Sequence, residues 1–194
     1  MSADYAELLV ESRAQWPEWL TRHGAQTPGV WVVTWKKGSG GPHVPYAEVV
    51  EEALAAGWVD SRPRAVDERR SALLVTARKP ASRWSRANKE RVERLTATGL
   101  MQPAGLAAVA AAQASGTWSA LDEVEDLVEP EDLAAALNAA PGAREHWDRF
   151  PRSARRAILE WVLSTKRPET RQAPIARTPE DAAEGRRAKQ WRQP

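Results

Sequence analysis

Residues 29–37, Gly-Val-Trp-Val-Val-Thr-Trp-Lys-Lys, constrain the fold more than any other segment. The run is dense in β-branched and aromatic residues and bounded by turn formers, so it reads as a strand. Alternation puts Trp31, Val33 and Trp35 on one face and Val30, Val32 and Thr34 on the other. Both faces are apolar, so the strand must be central or covered on both sides. Glu7-Leu-Leu-Val10 is a short candidate strand before it, and Trp58–Arg64 and Ser71–Ala77 read as an antiparallel pair turning through Asp67–Arg70.

Helices alternate with these strands. Ser12 with Gln15 has capping-box spacing ahead of Trp16, Trp19 and Leu20, and Pro17 is tolerable only in a first turn. Pro45–Ala56 is amphipathic, with Val49, Val50, Ala53 and Leu54 as its stripe and Gly57 as its stop. Ser85 is the expected N-cap of a helix through Asn88, Val92 and Leu95, ending near Gly99. From Pro103 onward only helical signals remain, and Pro103, Pro130 and Pro141 each stand where a first turn would begin. The expected architecture is α+β. A small, mainly antiparallel sheet with flanking helices fills residues 1–100, and a helical part fills 101–171. Residues 172–194, polar and interrupted by Pro174 and Pro179, are expected to be irregular.

Composition excludes several classes. The chain has no cysteine, so disulfides, thiolate metal sites and a Cys nucleophile are ruled out. No apolar run reaches the roughly 20 residues of a membrane span, and the N-terminus lacks the basic and apolar regions of a secretory signal. A cytoplasmic location is expected. The three histidines, His23, His43 and His146, fall in no catalytic motif, and His146 and Asp148 lie two apart, off a common helix face. No catalytic residue, metal ligand or cofactor is expected. The Gly38–Pro42 loop lacks the Gly-Lys-Ser/Thr and directly following helix of a phosphate loop.

Charge is balanced in total, at +2, but not along the chain. Residues 61–94 hold eleven basic and four acidic residues, residues 118–148 one basic and nine acidic, and residues 152–192 eleven basic and five acidic. The blander account is that acidic and basic segments pack together. The other is an anionic ligand at the basic ones.

On an extended chain, Trp58, Asp60, Arg62 and Arg64 point to one side. A carboxylate beside two guanidiniums and an indole suits a small anionic or planar ligand. Trp31 and Trp35 on the neighbouring strand, with Arg83, Trp84 and Asn88, complete the expected site, which a salt-bridged sheet face would equally explain. Two other readings stand beside it. Basic residues interleaved with Trp over 78–94 suit nucleic acid, with phosphates contacted and bases stacked. The acidic stretch 122–132 suits a protein partner such as a cationic peptide.

Several of these residues carry a resemblance. Gly57-Trp-Val-Asp-Ser61, the Trp-Lys-Lys-Gly-Ser-Gly run at 35–40, Ser82–Lys89, Ala157-Ile-Leu-Glu-Trp161 and Lys166–Arg171 together resemble the YdeI/OmpD-associated proteins, also labelled bacteriocin-protection proteins. The resemblance spans about Leu9 to Arg171. It implies a YjbR/CyaY-like α+β fold for the N-terminal half, a link to envelope stress and tolerance of bacteriocins or cationic peptides, and no established enzymatic activity. The prolines after Arg171 depart from the basic helix with which the family commonly continues.

Overall fold

The computed structural model describes residues 5–165 and 167–188. Lys166 and the last six residues of the expected irregular tail lie outside them. The chain divides into two compact units, 1–119 and 120–194.

The first unit is built on four strands: β1 (Glu7–Leu9), β2 (Gly29–Trp35), β3 (Trp58–Ala65) and β4 (Arg70–Ala77). Their order is β1-β2-β4-β3, with β1 parallel to β2 and the other pairs antiparallel. Four helices accompany them: α1 (Gln15–His23), α2 (Tyr46–Ala55), α3 (Arg86–Ala97) and α4 (Pro103–Ser115). The α+β class follows as read. Of the capping box, only the glutamine arm forms. Gln15 Oε1 accepts the Ser12 N–H at 3.2 Å and the Glu11 N–H at 2.7 Å. Ser85 Oγ does cap α3, accepting from the Asn88 N–H.

The two faces of β2 are covered differently. Val30 and Val32, with Leu73 and Val75 of β4, join Val49, Val50 and Leu54 of α2, Val92 and Leu95 of α3 and Trp16 and Leu20 of α1 in the main core. On the other face Trp31, Val33, Ala72 and Leu74 form a second cluster, joined only by Tyr5 and Val66. There the layer above the apolar residues is made of guanidiniums. Arg64 lies 4.2 Å and Arg62 5.5 Å from the Trp31 ring centroid, and Arg69 lies 4.9 Å from that of Trp35. Each such contact contributes about 0.5–1 kcal/mol at an exposed site. The long side chains also shield the apolar surface beneath their charged heads.

The glycine-rich loop closes over Trp35. A Cβ at Gly41 would stand 2.2 Å from that indole, so only glycine lets the backbone lie flat on the ring. The loop's role here is packing.

The two compact units divide between Ser119 and Ala120, with α4 on the side of the sheet. The reason is a close backbone contact. Gly105 of α4 sits so near α2 that a Cβ would meet the Ala55 carbonyl oxygen at 2.2 Å, and the Gln102 N–H bonds to that same carbonyl. This contact ties α4 to the first unit.

The second unit is helical: α5 (Asp122–Glu125), α6 (Glu131–Ala139), α7 (Ala143–Arg149), α8 (Arg152–Ser164) and α9 (Pro168–Ala183). Leu133, Leu137, Trp147, Ile158, Leu159 and Val162 form its core. The acidic stretch meets arginines of its own unit: Glu125 with Arg156 at 2.9 Å, Glu129 with Arg144 at 2.8 Å and Asp132 with Arg171 at 2.7 Å. Glu129 also accepts the buried Trp147 indole N–H at 2.7 Å.

Residues 168–183 are helical, where irregular chain was expected. A proline inside a lone helix costs about 3 kcal/mol, which argued for a break. Here Pro174 and Pro179 are themselves buried, and α9 packs against α6, α7 and α8. Tertiary burial overrides the local penalty.

Replacing Gly105 by Ala should destabilise the first unit by about 2–3 kcal/mol, since the added Cβ meets backbone atoms of α2 that cannot swing aside. Urea denaturation followed by Trp fluorescence measures it.

Candidate functional site

The expected site assumed that residues 58, 60, 62 and 64 share one side. The strand is extended, but its register against β4 shifts between Asp60 and Pro63. Asp60 pairs with Val75, whereas Pro63 pairs with Leu73 and Arg64 with Ala72. One extra residue opposite Leu74 flips everything after it. Trp58 and Asp60 therefore turn to the helix-covered face, and Arg62 and Arg64 to the face of Trp31. The bulge divides the expected constellation.

Each residue has a place. Trp58 is buried, edge-on to Trp16 and Trp19 at 6.4 and 6.2 Å, and is core. Trp31 lies under Arg62 and Arg64. Trp35 lies between Gly41 and Arg69, its indole donating to Glu11 Oε1 at 3.1 Å. Asn88 accepts from Arg91 Nη1 at 3.0 Å through Oδ1. Asp60 accepts the Tyr46 hydroxyl at 2.6 Å through Oδ2. Although Tyr46 is half exposed, partial burial, aided by this bond to a carboxylate, pushes its phenol up to about 12. Trp84 is buried at 1% exposure against Trp118, ring centroids 5.0 Å apart. Its ring is thus not open to a stacking base.

What the structure does bring together is Trp84 with a residue absent from the expected site, Arg78. The Arg78 guanidinium lies 3.6 Å from the Trp84 ring centroid. Its Nη1 donates to the Arg83 carbonyl at 3.2 Å. Nε and Nη2 are buried with no acceptor among the described residues, and so is Nε1 of Trp84. A buried donor without an acceptor costs about 1–3 kcal/mol, more on a charged group. Burial lowers the Arg78 pKa to about 10, while the charge of Asp60 opposes the shift. The guanidinium therefore stays protonated at neutral pH but is poorly compensated.

Arg78 and Trp84 stand in the wall of a cavity of about 170 Å³, completed by Lys79, Pro80, Ser82 and, from α4, Ala108, Ala111 and Ala112. On an arginine, Nε–H and the adjacent Nη2–H run parallel and form the side-on fork that grips a carboxylate or phosphate edge. Here that fork is unused and the remaining nitrogen is tethered. Sequence reasoning missed Arg78 because it is one of eleven basic residues in its segment. Only the approach of α4 to the segment after β4 distinguishes it.

Catalytic groups do not converge here. His43 Nδ1 bonds to the Trp35 carbonyl at 2.6 Å, and His23 lies against Trp19. Among the described residues no group of three or more His, Asp and Glu could hold a metal ion, and no helix is long and apolar enough to cross a membrane.

Comparison with known families separates the two units. Residues 8–108 match the Domain of unknown function (DUF8412), and residues 126–185 match the family described as Bacteriocin-protection, YdeI or OmpD-Associated. The chain belongs to the family of that N-terminal domain and carries a YdeI/OmpD-associated domain in its second unit. No curated protein and no solved structure matches it. The resemblance is thereby narrowed: the motifs at 35–40, 57–61 and 82–89 fall in the first match, and those at 157–161 and 166–171 in the second. The second match runs past Pro174 and Pro179. These prolines therefore do not end the likeness, and the helix of α9 continues through them.

The Tyr46–Asp60 bond has a spectroscopic consequence. The 295 nm titration of the protein minus that of Tyr46→Phe should show one phenol ionising at about 12. A phenol pKa raised above the unfolded value stabilises the fold fully below about pH 10, and that contribution is lost as pH rises through 12.

Proposed function

We propose that the protein is a non-catalytic binding protein of the YdeI/OmpD-associated type whose N-terminal domain holds a small anion at Arg78. The supporting observation is that Arg78, which lines a cavity, keeps two buried nitrogens that have no acceptor among the described residues. An arginine fork kept dry and unpaired is a stability cost that an anionic ligand removes. The division of β3 by its bulge moves the reading from the Trp58–Arg64 face to this cavity, while Trp84 is retained from the expected site. A cytoplasmic setting and a place in bacteriocin or envelope-stress tolerance belong to the same proposal. They rest on composition and on the description of the family matched by residues 126–185. The cationic-peptide reading of the acidic stretch is disfavoured by the arginines that already pair Glu125, Glu129 and Asp132.

Thermal denaturation in the presence of acetate, phosphate or sulfate tests the proposal. An anion at ten times its Kd raises stability by about 1.4 kcal/mol. For a chain of this size that raises Tm by about 3–6 °C. Arg78→Met should abolish the shift and leave the ligand-free protein at least as stable as the parent. A variant destabilised by more than about 2 kcal/mol, with the anion shift intact, would make Arg78 a structural residue.

A further inference from the structure

The nature of the cavity narrows the ligand. We infer that the Arg78 cavity takes a monocarboxylate with a compact apolar body, bound side-on by Nε and Nη2 of Arg78 with its body against Pro80 and the alanines of α4. This rests on the anion-binding reading above and specifies it.

Three observations carry the inference. The first is charge. One arginine lines this cavity, and the negative field of Asp60 already reaches its guanidinium. A dianion would bring a second negative charge into a wall whose other cation, Lys79, is exposed. Uncompensated charge is disfavoured in such surroundings, so a single negative charge fits best. The second is the wall. Ala108, Ala111 and Ala112 stand at i, i+3 and i+4 on α4, and with Pro80 they give the cavity an apolar side that runs from buried Ala112 to exposed Ala111 and Pro80 at the rim. Inorganic phosphate offers nothing to that side, whereas a hydrocarbon body does. The third is size. About 170 Å³ corresponds to roughly five or six water volumes, which suits a short branched or single-ring acid and is too small to enclose a nucleotide.

The two fork nitrogens have almost no contact with solvent. A carboxylate reaches them when Arg78, a long side chain held by one carbonyl bond and one indole face, swings slightly toward the cavity. Binding therefore includes a small adjustment of the wall. Trp84 lies directly beneath the guanidinium, so its emission reports the event.

The test uses the full chain at pH 8.5 with isobutyrate and benzoate as probes, benzamide as the uncharged counterpart of benzoate, and sulfate and phosphate, both dianions at that pH. Ligand-observed NMR and the melting temperature are the readouts. The two carboxylates should bind saturably, with benzamide, phosphate and sulfate at least tenfold weaker. Arg78→Met should lose all binding. Ala111→Phe fills the cavity from its rim and should weaken benzoate at least tenfold while leaving formate, which has no body, unchanged. Phosphate or sulfate binding more tightly than the carboxylates through Arg78 would overturn the inference and leave the anion site standing. Carboxylate binding that survives both substitutions would place the site elsewhere and also overturn it. Absence of binding by every anion to the folded protein would remove both readings together.

Discussion

Everything in the first unit follows from β2 having two apolar faces. A strand with Trp and Val on one side and Val on the other cannot border water, so each face must be covered. Three helices cover one, burying Val30 and Val32 with Trp16, Val49, Leu54 and Val92. The other is covered by side chains. Arg62 and Arg64 lie over Trp31, and Arg69 and the Gly41 backbone enclose Trp35. Much of the basic charge of residues 61–70 is thus consumed in roofing a sheet.

The same requirement explains why the expected recognition face does not form. To roof Trp31, Arg62 and Arg64 must turn away from Asp60, and the bulge in β3 provides that turn. Asp60 is left on the helix side, bonded to Tyr46 and within electrostatic reach of Arg78. The local twist at a bulge commonly re-aims side chains beside functional sites. Here it separates a structural layer of arginines from the one arginine whose fork is unused.

The second unit solves its charge problem internally. Its acidic stretch and its arginines pair within the helical bundle, and partly buried pairs such as Glu125–Arg156 fasten α5 to α8. Pairs of this kind hold register more than they add stability. The aromatic residues follow the same economy. Trp147 caps Glu129, Trp16 donates to the Val49 carbonyl at 3.0 Å, and Trp84 supports Arg78. With so little Phe available, indoles fill the cores, and each buried N–H then needs an acceptor. The Trp84 N–H, which has none, marks the cavity for that reason.

From the sequence by itself came the α+β class, the four strands, the hairpin through Asp67, the Ser85 cap and the proline-started helices of the second half. These are local matters, decided by periodicity, capping and turn chemistry over a few residues. The boundary at Ser119, the helix through Pro174 and Pro179, the bulge in β3 and the isolation of Arg78 were decided only by the tertiary structure. Each depends on a contact between segments distant in the chain: Gly105 on Ala55, α9 on its three neighbours, β3 on β4, and α4 beside residues 78–84. An arginine reads the same in sequence whether it is solvated or buried. Only the surrounding fold determines whether its fork has a partner.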